Sequence, residues 1–207
     1  MNIITISREF GSGGREVGKR IADLLGYSYY DREIITAIAE KHDFDENYVE
    51  NMLENGFTFA MPITYGRTFS YTDAGGQQAI QLLSTQCRLL KEFASKGNCV
   101  IVGRSANILL EDYNPFNIFV YADMDAKITR CRERMSADEG LKDSEIKRRI
   151  RQIDSNRAKH QRFLTDKKWG DKESYHLCVN TSGADIKTVS AMIADYAKAY
   201  FESKNNK

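Results

Sequence analysis

The sequence predicts an α/β fold in three layers, with a central parallel sheet of about five strands and helices on both faces. Segments rich in β-branched residues alternate with segments of helical apolar spacing, as expected for strands joined by crossover helices. The apolar runs at 98–103 and 118–122 are unbroken, which fits strands covered on both faces. A chain of 207 residues with 42% hydrophobic side chains is long enough to build this fold as one domain.

The first half of the chain predicts a strand, a glycine loop and a helix, followed by a second strand and further helices. Residues 2–7 form a β-branched run, residues 10–14 are rich in glycine, and helical spacing follows them. A short strand is predicted at 27–31 and a long helix at 77–95. Between them, two helices are indicated by apolar positions at Ile34, Ile35, Ile38, Tyr48, Val49, Met52 and Leu53.

The second half repeats this alternation up to a terminal helix. Further strands are predicted at 98–103, 118–122 and 175–180. Asp123 is placed to cap the helix after the second of these, because a carboxylate at that position can accept a backbone N–H of the first turn. A charged helix with a narrow apolar stripe is predicted from Asp143 to about residue 164.

Residues 54–76 differ in character from their surroundings, since Gly, Thr, Tyr and Phe dominate and the helical period fades. We interpret them as a substrate-side insertion within a single domain, 1–207, in which residues 130–165 form a lid-type helical segment. Tyr65, Phe69 and Tyr71 are candidates for stacking on a base.

Charge and cysteine content narrow the expected partners. The 30 Lys and Arg residues nearly cancel the 29 Asp and Glu residues, so no global field favours nucleic acid or an anionic membrane. No apolar run approaches the roughly 20 residues of a membrane span. The four cysteines lack the spacing of a metal site, which predicts reduced thiols in a cytoplasmic protein. Oligomeric state is not predicted.

The glycine loop is the strongest candidate binding site. Its position between a strand and a helix lets backbone N–H groups converge on a phosphate beside the positive helix end. A formal G-x-x-x-x-G-K runs from Gly13 to Lys19, but Lys19 lies too far into the helix and Arg20 stands where a magnesium-binding hydroxyl belongs. Arg15 is the better candidate for the loop's cation, because a guanidinium can bind phosphate oxygens through two hydrogen bonds. The alternative is a glycine-rich turn that binds no ligand.

Arginines elsewhere add a second and a third candidate feature. Arg104 follows a predicted central strand, where its side chain would point into the cleft; an ordinary strand-end salt bridge is the alternative. The later helices are dense in arginine, and Asp154 lies one helical turn from Arg157, so the carboxylate could orient the guanidinium. A solvated charged face is the plain alternative. Phosphoryl transfer, however, requires neutralisation of spreading negative charge, which arginines on a closing segment supply.

These features together resemble the cytidylate kinases, and more closely the cytidylate kinase-like family. Two stretches are specific for this resemblance: the opening Ile-Ser-Arg-Glu-Phe-Gly-Ser-Gly-Gly-Arg-Glu and the later Asp-Ser-Asn-Arg that ends at Arg157. The supporting motifs cover nearly the whole chain and are Tyr-Asp-Arg-Glu at 30–33, Val-Gly-Arg at 102–104, Phe-Val-Tyr-Ala at 119–122 and Thr-Ser-Gly at 181–183.

The resemblance implies a P-loop kinase fold, ATP and Mg²⁺ as cofactors, and a nucleoside monophosphate as acceptor. By position, it implies that the donor phosphates bind at Gly11, Ser12, Gly13, Gly14, Arg15 and Glu16. It places Asp31 and Arg104 on the acceptor side, Asp154 with Arg157 beside the lid, and lid arginines at Arg130, Arg134 and Arg151. Cytidylate kinases carry Lys-Gly-Thr where this chain has Gly14, Arg15 and Glu16, so the metal ligand is not predicted, and Ser12 and Glu16 are the candidates for contacting it directly or through water.

Three functions follow as hypotheses. The first is ATP-dependent phosphoryl transfer to a nucleoside monophosphate, with CMP or dCMP as the first acceptors to consider. In that reaction Arg15, Asp154 and Arg157 are the candidate catalytic residues. The second is a kinase for another small phosphate acceptor, since one fold serves many acceptors. The third is a nucleotide-binding sensor that has lost catalysis together with the loop lysine.

Overall fold

A computed structural model describes residues 1–55, 74–135 and 140–205. Within these residues five strands form one parallel sheet, as the sequence predicts, and the structure gives their order as β2-β3-β1-β4-β5. The strands are β1 (Ile3–Arg8), β2 (Ser28–Tyr30), β3 (Cys99–Val102), β4 (Phe116–Tyr121) and β5 (Leu177–Asn180). Most of the predicted insertion, with Tyr65, Phe69 and Tyr71, lies outside the described residues.

Helices occupy the predicted positions between and after the strands. Those in the described ranges are α1 (Gly14–Leu25), α2 (Glu33–His42), α3 (Glu46–Asn55), α4 (Ala74–Ser95), α5 (Ala106–Leu109), α6 (Met124–Arg134), α7 (Asp143–Leu164) and α8 (Ile186–Asn205). None of these helices is long and apolar enough to cross a membrane.

The two faces of the sheet bury separate apolar clusters, because successive side chains of a strand point to opposite faces. Ile3 of β1 and Ile101 of β3 belong to the cluster that α2, α3, α4 and α5 cover. Ile4 and Ile6 face the other way, with Val102 of β3, into the cluster that α1 and α8 cover. This arrangement gives the three layers expected from the unbroken apolar runs.

Helix α1 lies unusually close to the sheet at Gly18. A Cβ added there would lie 2.6 Å from Val102 Cγ2 and 3.1 Å from Ile6 Cδ1. The helix therefore packs backbone against side chains at this point, which fixes the height of its amino terminus above the ends of β1 and β3.

The predicted cap of α6 needs a correction. Asp123 lies at the N-cap position, but its carboxylate accepts no hydrogen bond from the described first turn of the helix. Its backbone N–H instead donates to Ser182 Oγ at 2.7 Å, which ties the start of α6 to the turn after β5.

Candidate active site

The glycine loop connects the end of β1 to the start of α1. Gly11 and Gly13 have left-handed backbones, with φ of 77° and 82°, a conformation that glycine adopts without steric cost. Gly13 is the N-cap of α1, so the loop lies at the positive end of the helix dipole. Ser12 is buried, and its hydroxyl donates to the Glu9 carbonyl at 2.8 Å. The loop is thus a glycine-rich turn at a helix amino terminus, closed by its own hydrogen bond.

A buried lysine holds the outer side of this loop. Lys127 of α6 is 5% exposed and lies 2.5 Å from a Glu9 oxygen and 3.3 Å from an Asp154 oxygen. The other Asp154 oxygen accepts the Phe10 N–H at 2.7 Å. Burial raises the pKa of Asp154, while this N–H, Lys127 and Arg157 lower it. Asp154 therefore binds the loop backbone and a lysine more closely than it binds Arg157, whose guanidinium is 3.8 Å away.

The predicted lid arginines do not converge on one point. Arg130 is bound in the structure, because it donates to the carbonyl of Ser12 at 3.4 Å and to the Thr181 hydroxyl at 3.1 Å. Arg134 lies 3.3 Å from Glu16, and Arg151 is exposed on α7. Arg130 thus fastens the glycine loop to the turn after β5, while the other two lie on the surface.

Asp31, just after β2, contacts two arginines. This carboxylate is 4% exposed; one of its oxygens contacts Arg15 Nε and the other lies 3.8 Å from an Arg8 nitrogen. The Arg15 side chain is 58% exposed and extends from the first turn of α1 to Asp31. The structure therefore directs the predicted loop cation toward the side where the acceptor was predicted.

Arg104 follows β3 on a strained turn. Gly103, Arg104 and Ser105 have φ values of 76°, 55° and 52°, so three successive residues are left-handed. Non-glycine residues held in this region cost about 1 kcal/mol or more each and are concentrated at functional sites. The turn buries the Arg104 side chain, which lies 3.4 Å from Glu50, while Gln86 donates to the Arg104 carbonyl at 3.1 Å.

Arg157 reaches the same region from α7. Its guanidinium donates to the Arg8 carbonyl at 3.2 Å and lies 5.9 Å from the centre of the Phe10 ring. It therefore touches the last residue of β1 and the loop that follows. The structure brings Arg15, Asp31, Arg104, Asp154 and Arg157 together around the ends of β1, β2 and β3.

A polar pocket opens between these arginines and α7. It is lined by Ser7, Arg8, Leu53, Gln86, Gly103, Arg104, Ser105, Asn107, Arg157, His160, Gln161 and Trp169. Burial and the charge of Arg104 lower the pKa of His160 to about 4, so the imidazole is neutral at pH 7. Amide, hydroxyl and neutral imidazole groups therefore surround a cationic wall.

The two predicted magnesium ligands do not fit a metal in this arrangement. The Ser12 hydroxyl is buried and donates to Glu9, and the Glu16 carboxylate pairs with Arg20 at 2.9 Å and with Arg134 at 3.3 Å. Within the described ranges, no group of three or more His, Cys, Asp or Glu side chains gathers as a metal site.

Sequence reasoning missed Arg8, Lys127 and His160. Arg8 belongs to the opening motif and directly follows the first predicted strand, 2–7, so its place at the carboxyl edge of the sheet was available from the sequence. Lys127 lies one helical turn before Cys131, which occupies the predicted apolar side of its helix. His160 lacks any comparable indication, because its burial depends on how α7 crosses the end of the sheet.

Comparison with known protein families identifies the family of this chain. A sequence model described as the cytidylate kinase-like family matches residues 3–183. The chain belongs to the cytidylate kinase-like family. Comparison with curated proteins gives no match. The family match of this cytidylate kinase-like chain does not identify its phosphate acceptor.

Solved structures agree with the fold described above. An uncharacterized protein from Eubacterium ventriosum is 26% identical over 96% of this chain and 99% of its own, with a TM-score of 0.69. Shikimate kinase from Bacteroides thetaiotaomicron is 17% identical over 95% and 98%, with a TM-score of 0.58. Shikimate kinase from Acinetobacter baumannii, in complex with shikimate, is 13% identical over 97% and 94%, with a TM-score of 0.55. The cytidylate kinase-like chain thus has a P-loop kinase fold, which indicates a phosphotransferase.

Proposed function

We propose that the protein transfers the γ-phosphoryl group of ATP to a nucleoside monophosphate, with CMP and dCMP as the first acceptors to test. One observation carries this proposal: Arg15, Arg104 and Arg157 gather from three separate elements beside the glycine loop at the amino terminus of α1. Phosphoryl transfer requires little covalent chemistry and much charge neutralisation, which is what such a cluster provides. ATP enters as its magnesium complex, so the metal arrives with the substrate.

Each element has a distinct task in this reaction. The N–H groups of the loop and the start of α1 bind the donor phosphates. Arg104, at the end of β3, binds the phosphate of the acceptor. Asp31 lies on the same side and orients the acceptor. Arg157 bridges donor and acceptor from α7, while Asp154 positions the loop through the Phe10 N–H.

The direct test measures ADP release from Mg–ATP with a panel of nucleoside monophosphates. We expect release that depends on CMP or dCMP and that falls about 10³-fold in Arg15→Ala and in Arg157→Ala, as for other cations that act on the transition state. Arg162→Ala is the matched control, because Arg162 is an exposed arginine of the same helix as Arg157. Unchanged rates in the two cluster variants would contradict these assignments.

Two observations favour alternative functions, which the same assay can test. The pocket beside Arg104 is lined by the amides of Gln86, Asn107 and Gln161, which bind hydroxyl groups as readily as a base. Small hydroxyl acceptors therefore belong in a second panel. Gly14 stands where related kinases carry lysine, which is the observation that favours a nucleotide-binding sensor. ATP binding in calorimetry without ADP release on any acceptor would support that function.

A further inference from the structure

The position of the missing lysine is physically closed to any side chain. A Cβ added at Gly14 would lie 2.5 Å from Arg8 Cβ, 3.1 Å from Arg8 Cγ and 3.3 Å from Val120 Cβ. Real Cβ atoms do not approach other carbons so closely, so no residue larger than glycine fits here while Arg8 is present. The stem of Arg8 thus fills the space beside the first residue of α1.

A second glycine makes room for the other end of Arg8. A Cβ added at Gly103 would lie 1.7 Å from an Arg8 guanidinium nitrogen and 2.6 Å from Arg8 Cζ. Gly103 also has a φ of 76°, which adds a backbone preference for glycine. The Arg8 side chain therefore runs from the glycine loop to the strand that bears Arg104, across the gap between the donor and acceptor sides.

The charge at this position is poorly neutralised within the protein. The Arg8 side chain is 11% exposed, and its ion pair with Asp31 is long, at 3.8 Å. The near Asp31 oxygen has no hydrogen-bond partner among the described residues. Burial first, then Arg157, lower the pKa of the Arg8 guanidinium to about 9, with Arg104 and Arg15 acting in the same direction and Asp31 against it. An anionic ligand would relieve this cost through charge-assisted hydrogen bonds.

We propose that Arg8 contacts the phosphoryl group during its transfer and takes the role of the lysine that the loop lacks. Gly14 and Gly103 leave the space that the Arg8 side chain needs. This inference rests on the proposed function. In the step, the bond from the γ-phosphorus to the β,γ-bridging oxygen breaks and its electron pair leaves on ADP. An acceptor phosphate oxygen supplies the pair for the new bond. Arg8 neutralises charge on the moving group and exchanges no proton.

The sharpest test moves the cation back into the loop. Arg8→Gln is expected to lower kcat about 10³-fold with little change in the acceptor KM, and Arg8→Gly to do the same. The double variant Arg8→Gly with Gly14→Lys opens the space and restores a lysine, so we expect kcat at least tenfold above that of Arg8→Gly. Gly14→Lys alone should lose activity or unfold, because Arg8 still fills the space. Arg162→Gln is the control.

A kcat within threefold of wild type in Arg8→Gln would overturn the inference, as would an effect confined to the acceptor KM. Thermal unfolding checks that each variant is folded. If Arg8→Gln does not fold, Arg8→Lys is the milder substitution to use in its place. If no acceptor supports turnover, the proposed function has failed and titration with tripolyphosphate tests Arg8 separately. At least tenfold weaker binding in a folded Arg8 variant supports the phosphate contact, and unchanged binding contradicts it.

Discussion

Buried polar residues at the end of the sheet define the local chemistry of this protein. His160 faces the same pocket as Arg104, and burial first and then the charge of Arg104 lower the pKa of its imidazole. The imidazole is therefore neutral in the folded state and can offer either a donor or an acceptor to a ligand. This residue was not predicted from the sequence as part of the site, since an isolated histidine gives no indication of burial.

The His160 environment predicts a pH dependence of stability. Its pKa is lowered from 6.5 to about 4, so the unfolded chain binds the extra proton first as pH falls. The stabilising contribution is complete above pH 6.5 and is lost toward pH 4, on the order of 3 kcal/mol in all. Urea unfolding of wild type and His160→Gln across this range should show the steeper decline in wild type. Identical pH dependence in the two proteins would contradict this account.

At the scale of elements, the close approach of α1 to β3 sets the geometry of the glycine loop. The strand was predictable because an unbroken apolar run fits burial on both faces, and β3 (Cys99–Val102) lies within the predicted run. The close approach was not predictable, because a glycine inside a helix can have several causes. Only the packed structure shows that Gly18 leaves room for Val102 and Ile6.

A double-mutant cycle tests this contact. Gly18→Ala should gain up to about 1 kcal/mol of helix propensity but lose roughly 1–3 kcal/mol by crowding Val102, so we expect net destabilisation. In a Val102→Ala background, the same change should cost less, with a favourable coupling above about 0.5 kcal/mol in urea unfolding. Additive effects would mean that the helix shifts freely away from the strand.

At the scale of the whole molecule, the loop is a meeting point of distant segments. The buried Lys127 and the partly buried carboxylates of Glu9 and Asp154 form one ionic group that joins the loop to α6 and α7. The strands themselves were predictable, and Asp31 and Arg104 follow β2 and β3 in the structure, whereas their acceptor-side roles came from the family resemblance and stay a prediction. The burial of Lys127 and Arg8 was not predictable, because charged residues in a sequence are by default assigned to the surface and only tertiary contacts reveal the exceptions.

Removing the central cation should therefore weaken the whole fold. Lys127→Met leaves two partly buried carboxylates without the buried lysine that neutralises them, and we expect a loss of about 1.5–3 kcal/mol in the free energy of unfolding. Lys19→Met is the matched control, because Lys19 and its partner Asp23 are both more than half exposed and such pairs contribute about 1 kcal/mol or less. Equal losses in the two variants, measured by urea unfolding, would argue against a buried network.

The central place of β1 also has a consequence for how the chain matures during synthesis. Ile3 pairs with Cys99 and Ile4 with Phe116, so β1 has both edges open until much later segments have left the ribosome. The loop after β1 is completed later still, since the Thr181 hydroxyl donates to the Ser12 carbonyl at 2.7 Å. A nascent chain would therefore complete this loop only after Thr181 has emerged, and until then both edges of β1 stay open to wrong strand pairing.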